Sequence, residues 1–156
     1  MASLCPKLVF AQHTFVDSDG ARDCSAKHLA TGQYVTARGV NDPNINYIAY
    51  SGHDPAGYPV IVFNTTRMNQ LPLSFRRLTF YHECSHLRIP SSDELRVNCA
   101  ALRIMRAQGE SSPQIEEEIR VASVWIDHTW PVGGQYGGSA ATFWQSTVQC
   151  VEAGTH

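Results

Sequence analysis

The sequence lacks three features that assign many proteins to a broad class. It has no apolar run approaching the ~18 residues of a transmembrane helix. Its first seven residues do not show the basic-then-apolar pattern of a secretory signal peptide. It also has no basic excess, since 12 Lys and Arg are set against 14 Asp and Glu. We therefore expect no membrane span and no nucleic-acid partner.

The cysteines lack the short paired spacings of a zinc ribbon and the Cys-x-x-Cys of a redox motif. There are five of them: Cys5, Cys24, Cys84, Cys99 and Cys150. That number is high for a reducing compartment and indicates at least one disulfide in a periplasmic or secreted protein. The alternative is a set of buried thiols acting as small hydrophobic side chains. Cys150 could pair with Cys84 or Cys99, and Cys5 could pair with Cys24.

The organisation of the chain changes near residue 70. With 156 residues, 43% hydrophobic and 17% charged, we expect one globular domain spanning 1–156. The first part has short β-branched and aromatic runs separated by turns, including a predicted hairpin of Tyr47–Ser51 and Pro59–Thr65. The second part has apolar residues at helical spacing. The pattern predicts an α+β fold, with a small sheet in the N-terminal half and helices in the C-terminal half.

The helix boundaries can be predicted from capping residues. Pro90 ends the first long helix, Ser91 or Ser92 offers a cap for the second, and Gly109 suits its C-terminal end. Ser112 and Pro113 open a third helix, and Ser139 caps a fourth that runs to about Glu152. These helices carry the residues with candidate catalytic and metal-binding roles.

The first long helix contains His82-Glu83-Cys84-Ser85-His86, a His-Glu-x-x-His string. Residues four apart lie on one helix face, so His82 and His86 could hold one metal ion between their imidazoles. Glu83, about 100° further round the helix, could act on a water at that metal as a general base. Chance gives such a string in only about 1.4% of chains of this composition. The residue types match those of zinc hydrolases, and we predict one Zn²⁺ per chain.

A catalytic zinc needs a third protein ligand. We favour Glu94, eight residues past His86 and just after the Pro90 helix stop, with Asp93 as the alternative. Ser91-x-x-Glu94 also fits a capping box, in which Glu94 would bond to the start of its own helix instead. Cys84 and Cys99 are rotated away from the metal-facing sides of their helices, so we predict no cysteine ligand.

Together these residues resemble the gluzincin metallopeptidases, in particular small predicted peptidases with HExxH followed by ExxAD on the next helix. The matching residues are His82-Glu83-x-x-His86, then Glu94-x-x-x-Asn98-Cys99-Ala100, and a His128-to-Gly134 loop before a helix that ends near Cys150. The resemblance covers about residues 45–152. It implies a minimal zincin-like domain, with a small antiparallel or mixed sheet packed on the HExxH helix, and zinc-dependent cleavage of a peptide or protein substrate.

The sequence departs from that pattern at the aspartate that, in the family, commonly orients an active-site histidine. Asn98 stands in its place and Val97 in place of the neighbouring alanine. An amide can accept the same N–H bond but carries no charge, which predicts weaker support of the metal. A second hypothesis therefore stands beside the peptidase: a zinc-stabilised binding or regulatory module with weak or no activity.

Two further roles follow from the proposed hydrolysis. The transition state needs a second donor for its oxyanion, and we assign His128 to this catalytic role, with Tyr136 and Tyr81 behind it. A structural role for His128 in the loop that follows is the alternative. The strand at Val60–Asn64 could bind an extended peptide by edge pairing, or could simply lie in the core.

Overall fold

A computed structural model describes residues 12–130 and 138–154. The order of elements confirms the mixed α+β class, with strands before residue 64 and helices after it. The strands are β1 (Phe15–Asp17), β2 (Gly20–Arg22), β3 (Ser25–Lys27), β4 (Tyr34–Thr36), β5 (Arg38–Asn41), β6 (Ala49–His53) and β7 (Pro59–Phe63). The helices are α1 (Thr65–Met68), α2 (Leu73–Arg88), α3 (Glu94–Ala107), α4 (Pro113–Thr129) and α5 (Ala140–Glu152).

The strands form two antiparallel pairs, β1–β2 and β3–β4, and one mixed sheet of three strands. In the mixed sheet, β7 lies in the centre, parallel to β5 and antiparallel to β6. The predicted hairpin is confirmed as the β6–β7 pair, in which Ala49 is opposite Phe63. The prediction that Val60–Asn64 offers an edge for a peptide is wrong, because β7 is hydrogen-bonded on both sides.

The capping residues place the helix ends largely as predicted. Ser112 caps α4 with Pro113 in its first turn, and the Ser139 hydroxyl accepts from Thr142 N at the start of α5. Gly109 follows α3 with φ of +71°, a left-handed conformation that glycine adopts without a Cβ clash. The cap of α3 differs from the prediction: it is Asp93, not Ser91 or Ser92.

The core lies where α2 packs against α3 and the mixed sheet. It is filled by buried apolar side chains from each half of the chain, among them Ile61, Phe80, Leu102, Met105 and Ile119. A paired Arg106 and Glu116 tie α3 to α4 through two bonds of 2.7 and 2.8 Å. Within the described ranges, no helix is both long and apolar enough to cross a membrane.

Two disulfides fasten the helices. Cys24, just before β3, is bonded to Cys84 in α2, and Cys99 in α3 is bonded to Cys150 in α5. The prediction of at least one disulfide is confirmed, and so is the Cys99 option for Cys150. The suggested pairing of Cys5 with Cys24 is wrong, because Cys84 on the buried side of α2 takes Cys24; Cys5 itself lies outside the described residues.

Candidate metal centre

His82 and His86 lie one turn apart on α2. The helix starts after Pro72 and continues to Arg88, where Ile89 takes an extended conformation ahead of Pro90. The Nε2 atoms of the two histidines are 3.1 Å apart. His82 is buried and His86 is partly exposed, so one side of the pair faces the protein and the other opens outward.

Glu94 is brought to the same point by the first residue of α3. Its Oε2 lies 3.0 Å from Nε2 of His82 and 3.1 Å from Nε2 of His86. Asp93 performs the other task that the sequence allowed: its carboxylate accepts from the backbone N–H groups of Leu95 and Arg96 and caps α3. The structure therefore places Glu94, and not Asp93, beside the histidines, and the capping-box alternative is not formed.

This triangle of atoms can hold a metal ion. The three donor atoms all lie within 4.8 Å of one another. His82 Nδ1 is 2.9 Å from the Asn98 amide oxygen, so Nδ1 carries the ring proton of the neutral imidazole and Nε2 presents a lone pair. At 3.0 Å, Nε2 and the Glu94 carboxylate oxygen are held together either by a proton or by a metal ion between them. Two imidazoles and a carboxylate suit a divalent cation such as Zn²⁺.

The pKa shifts of His82 and Glu94 are consistent with a cation-binding site. Burial lowers the pKa of His82, but the hydrogen bond that its ring donates to Glu94 and the charges of Glu83 and Glu94 outweigh this effect and raise the pKa overall. Burial raises the pKa of Glu94, but the bond and charge of His82, together with the charge of His86, outweigh it and lower the pKa. The site thus attracts positive charge, as a cation site must.

Glu83 lies beside the triangle without belonging to it. Only 5% of the residue is exposed, and its carboxyl lines the same recess as the His82 ring. Burial raises the pKa of Glu83, against the charge of His82 and a hydrogen bond from Ser51 on β6. A buried carboxyl with a raised pKa, next to but outside the ligand set, suits a group that takes up and releases a proton.

The other predicted residues are less closely connected to the centre. His128 is exposed in the last turn of α4 and is not part of the ligand triangle. The Tyr81 hydroxyl lies 2.8 Å from Gln108 Oε1 and 3.0 Å from Glu110 Oε2, so it serves a different polar cluster. The role of Tyr81 behind His128 stays a prediction. Tyr136 lies outside the described residues, and the catalytic role of His128 stays a prediction.

Sequence reasoning missed two residues at this centre. Ser51 reaches Glu83 from β6, and the Thr147 hydroxyl on α5 lies 2.8 Å from the Asn98 amide nitrogen. Both are far from the motif along the chain, and no spacing rule connects them to it. The Cys99–Cys150 pairing was the available signal for Thr147, because it brings α5 against α3.

Comparison with known proteins adds no assignment. The chain matches no protein-family profile, no curated protein and no solved structure.

Proposed function

We propose that this protein is a zinc-dependent peptidase with Glu83 as its general base. The observation that carries the proposal is the convergence of His82, His86 and Glu94 on one point, with the buried Glu83 carboxyl next to it. The gluzincin resemblance of the motif supports the same reading. His82, His86 and Glu94 would hold the ion. When bound, zinc supplies a Lewis acid that lowers the pKa of water to near 7 and polarises a carbonyl.

The residues of the chain would then perform the proton transfers. Glu83 takes a proton from the attacking water and delivers it to the leaving amine. Ser51 fixes the carboxyl from the sheet side. His128 is the candidate donor to the oxyanion.

The sheet offers a place for an extended substrate. In the mixed sheet β6 is an edge strand, and its Ser51 contacts Glu83. A peptide pairing with β6 would therefore run past the general base. Beside His82 and Glu83, a small recess of about 30 Å³ is walled by Phe75, Leu78, Phe143 and Trp144, which favours an apolar group next to the scissile bond.

The disulfides bear on where the protein works. Two disulfides are compatible with an extracellular or periplasmic location. We propose that the protein is secreted or periplasmic.

The test is hydrolysis of a mixture of peptides by the zinc-loaded chain, with products read by mass spectrometry. Glu83→Gln keeps the shape of the side chain and removes the proton acceptor, so cleavage should fall by roughly 10²-fold or more while zinc stays bound. Glu117→Gln on the exposed face of α4 is the matched control and should cleave like the parent chain. Equal rates in Glu83→Gln and the parent chain would remove Glu83 from the mechanism.

The second candidate is a zinc-stabilised binding or regulatory module. Asn98 favours it, because a neutral amide makes His82 less basic than an aspartate would. The same experiment separates the two. A parent chain that holds zinc and cleaves no peptide in the mixture is the module; a parent chain whose cleavage depends on Glu83 is the enzyme.

A further inference from the structure

Asn98 and Thr147 form a buried hydrogen-bonded pair behind His82. Thr147 is 0% exposed and Asn98 is 5% exposed. The Asn98 oxygen lies 2.9 Å from His82 Nδ1, and its nitrogen lies 2.8 Å from the Thr147 hydroxyl. An amide has one accepting end and one donating end. The end that faces His82 therefore decides whether Nδ1 of the ring carries a proton.

The orientation of the amide can be traced to a backbone carbonyl. The Thr147 hydroxyl has a single proton, and its oxygen lies 2.9 Å from the carbonyl oxygen of Phe143, one turn earlier in α5. Because a carbonyl can only accept, the hydroxyl donates there and turns a lone pair toward Asn98. That lone pair must receive the NH₂ end of the amide. The oxygen end then faces His82, whose proton stays on Nδ1.

We propose that Thr147 is a positioning residue that sets the His82 tautomer by orienting the Asn98 amide. An aspartate would accept from Nδ1 in either orientation, but an asparagine turned around would place a proton on Nε2, at the point where a ligand atom is needed. Thr147 thus fixes which end of the Asn98 amide faces His82, a constraint that an aspartate would not need. The Cys99–Cys150 bridge joins α3 and α5 one residue after Asn98 and three after Thr147, and holds the pair together.

This inference rests on the proposed metal centre but not on peptidase activity. Its first readout is whether His82 Nδ1 carries a proton in the metal-free, oxidised chain, taken from the ¹⁵N shifts and long-range couplings of the ring. In the parent chain Nδ1 should carry a proton bonded to the Asn98 oxygen, whether or not Nε2 also carries one toward Glu94. Thr147→Val, which keeps the volume and loses the hydroxyl, should leave Nδ1 without a proton in a substantial share of the molecules. Thr147→Ser restores the hydroxyl and should restore the parent state of Nδ1.

The second readout is the affinity for Zn²⁺ itself, measured by competition with a chelator. Thr147→Val should weaken it about 10- to 100-fold, the usual effect of losing a partner of a ligating histidine. Thr147→Ser should stay within about threefold. Thr142→Val is the control, because it makes the same substitution at an exposed threonine of α5 that does not contact Asn98. It should leave both readouts unchanged.

The Asn98→Asp background gives an independent check. Both carboxylate oxygens accept, so Thr147→Val added to Asn98→Asp should leave the proton on Nδ1. A folded Thr147→Val chain with the parent tautomer and affinity overturns the proposal. The proposal is also overturned if the Asn98 NH₂ group of the parent chain is found in contact with the His82 ring protons. This measurement uses the parent chain and does not depend on the folding of any variant. If the parent chain binds no zinc, the proposed function is wrong, but the result on the His82 ring is unaffected.

Discussion

Cys84, the residue after Glu83, is disulfide-bonded to Cys24, and their Cα atoms lie 5.6 Å apart. The bond joins the helix that carries both histidines to the start of β3, 60 residues earlier in the chain. Cys84 is two residues past His82, a rotation of about 200° around the helix, so the bond lies on the side of α2 away from the ligand triangle. The strand-rich half is thereby fastened to the helix that holds the candidate metal centre.

The two disulfides predict a low thiol count. Four of the five cysteines are bonded, so titration of the denatured, unreduced chain should find no more than one thiol. Five thiols per chain would mean that neither bond forms in that preparation and would favour a reducing compartment.

Removing the Cys24–Cys84 bond should destabilise the fold. A closed loop of 60 residues corresponds to about 4 kcal/mol of chain entropy in the unfolded state. Denaturant unfolding of the Cys24→Ala/Cys84→Ala chain should show a loss of that order. A loss below about 1 kcal/mol would mean that packing alone holds β3 to α2.

The Asp17 carboxyl, which is not exposed to solvent, should make the fold sensitive to acid. Burial raises the pKa of this carboxyl, but the hydrogen bonds from Arg77 and the Asp19 backbone and the charge of Arg22 outweigh it, so the pKa is lowered overall. Because the folded pKa lies below the unfolded one, the stabilisation is present above about pH 4 and is lost as pH falls through the folded pKa. The free energy of unfolding should therefore drop between pH 5 and 2, measured by urea titration.

Asp17→Asn provides the comparison for that acid sensitivity. The amide cannot titrate and cannot form the ion pair with Arg77 at 2.9 Å, so this variant should be less stable at pH 7 and show a shallower drop in acid. The same slope in the variant and the parent chain would assign the acid sensitivity to other groups.

Asp93 and Glu94 are neighbours with different predicted roles. Asp93→Ala removes the α3 cap and should cost about 1 kcal/mol of stability with zinc retained. Asp93→Asn keeps an oxygen that can accept the same bonds and should recover most of that loss. Loss of zinc in a folded Asp93→Ala chain would contradict the division of roles.

Local patterns were sufficient to predict much of this molecule. The spacing of His82 and His86 placed them on one helix face, Ser112 and Ser139 marked two helix starts, and two neighbouring β-type runs predicted the β6–β7 hairpin. Each of these depends on residues within a few positions of one another. The cap of α3 was missed because Ser91, Ser92 and Asp93 are all good capping residues, and only the exact length of the turn after Pro90 selects among them.

Long-range arrangements could not be read from the sequence. The central position of β7 depends on the parallel pairing of β5, which is some twenty residues distant, and on the crossover that permits it. The Cys24–Cys84 pairing depends on how the first strands fold onto α2. Thr147 reaches the centre only because α5 returns to α3. Burial and contact between distant elements decide these features, and one sequence gives no direct signal for them.

The metal content of the purified chain tests the central claim most directly. After incubation with zinc and removal of the excess, elemental analysis should find about one zinc per parent chain, and much less in His86→Ala and in Glu94→Ala. His53→Ala, on an exposed histidine of β6 outside the triangle, should keep the parent value. Full zinc stoichiometry in both His86→Ala and Glu94→Ala would contradict the assigned ligands.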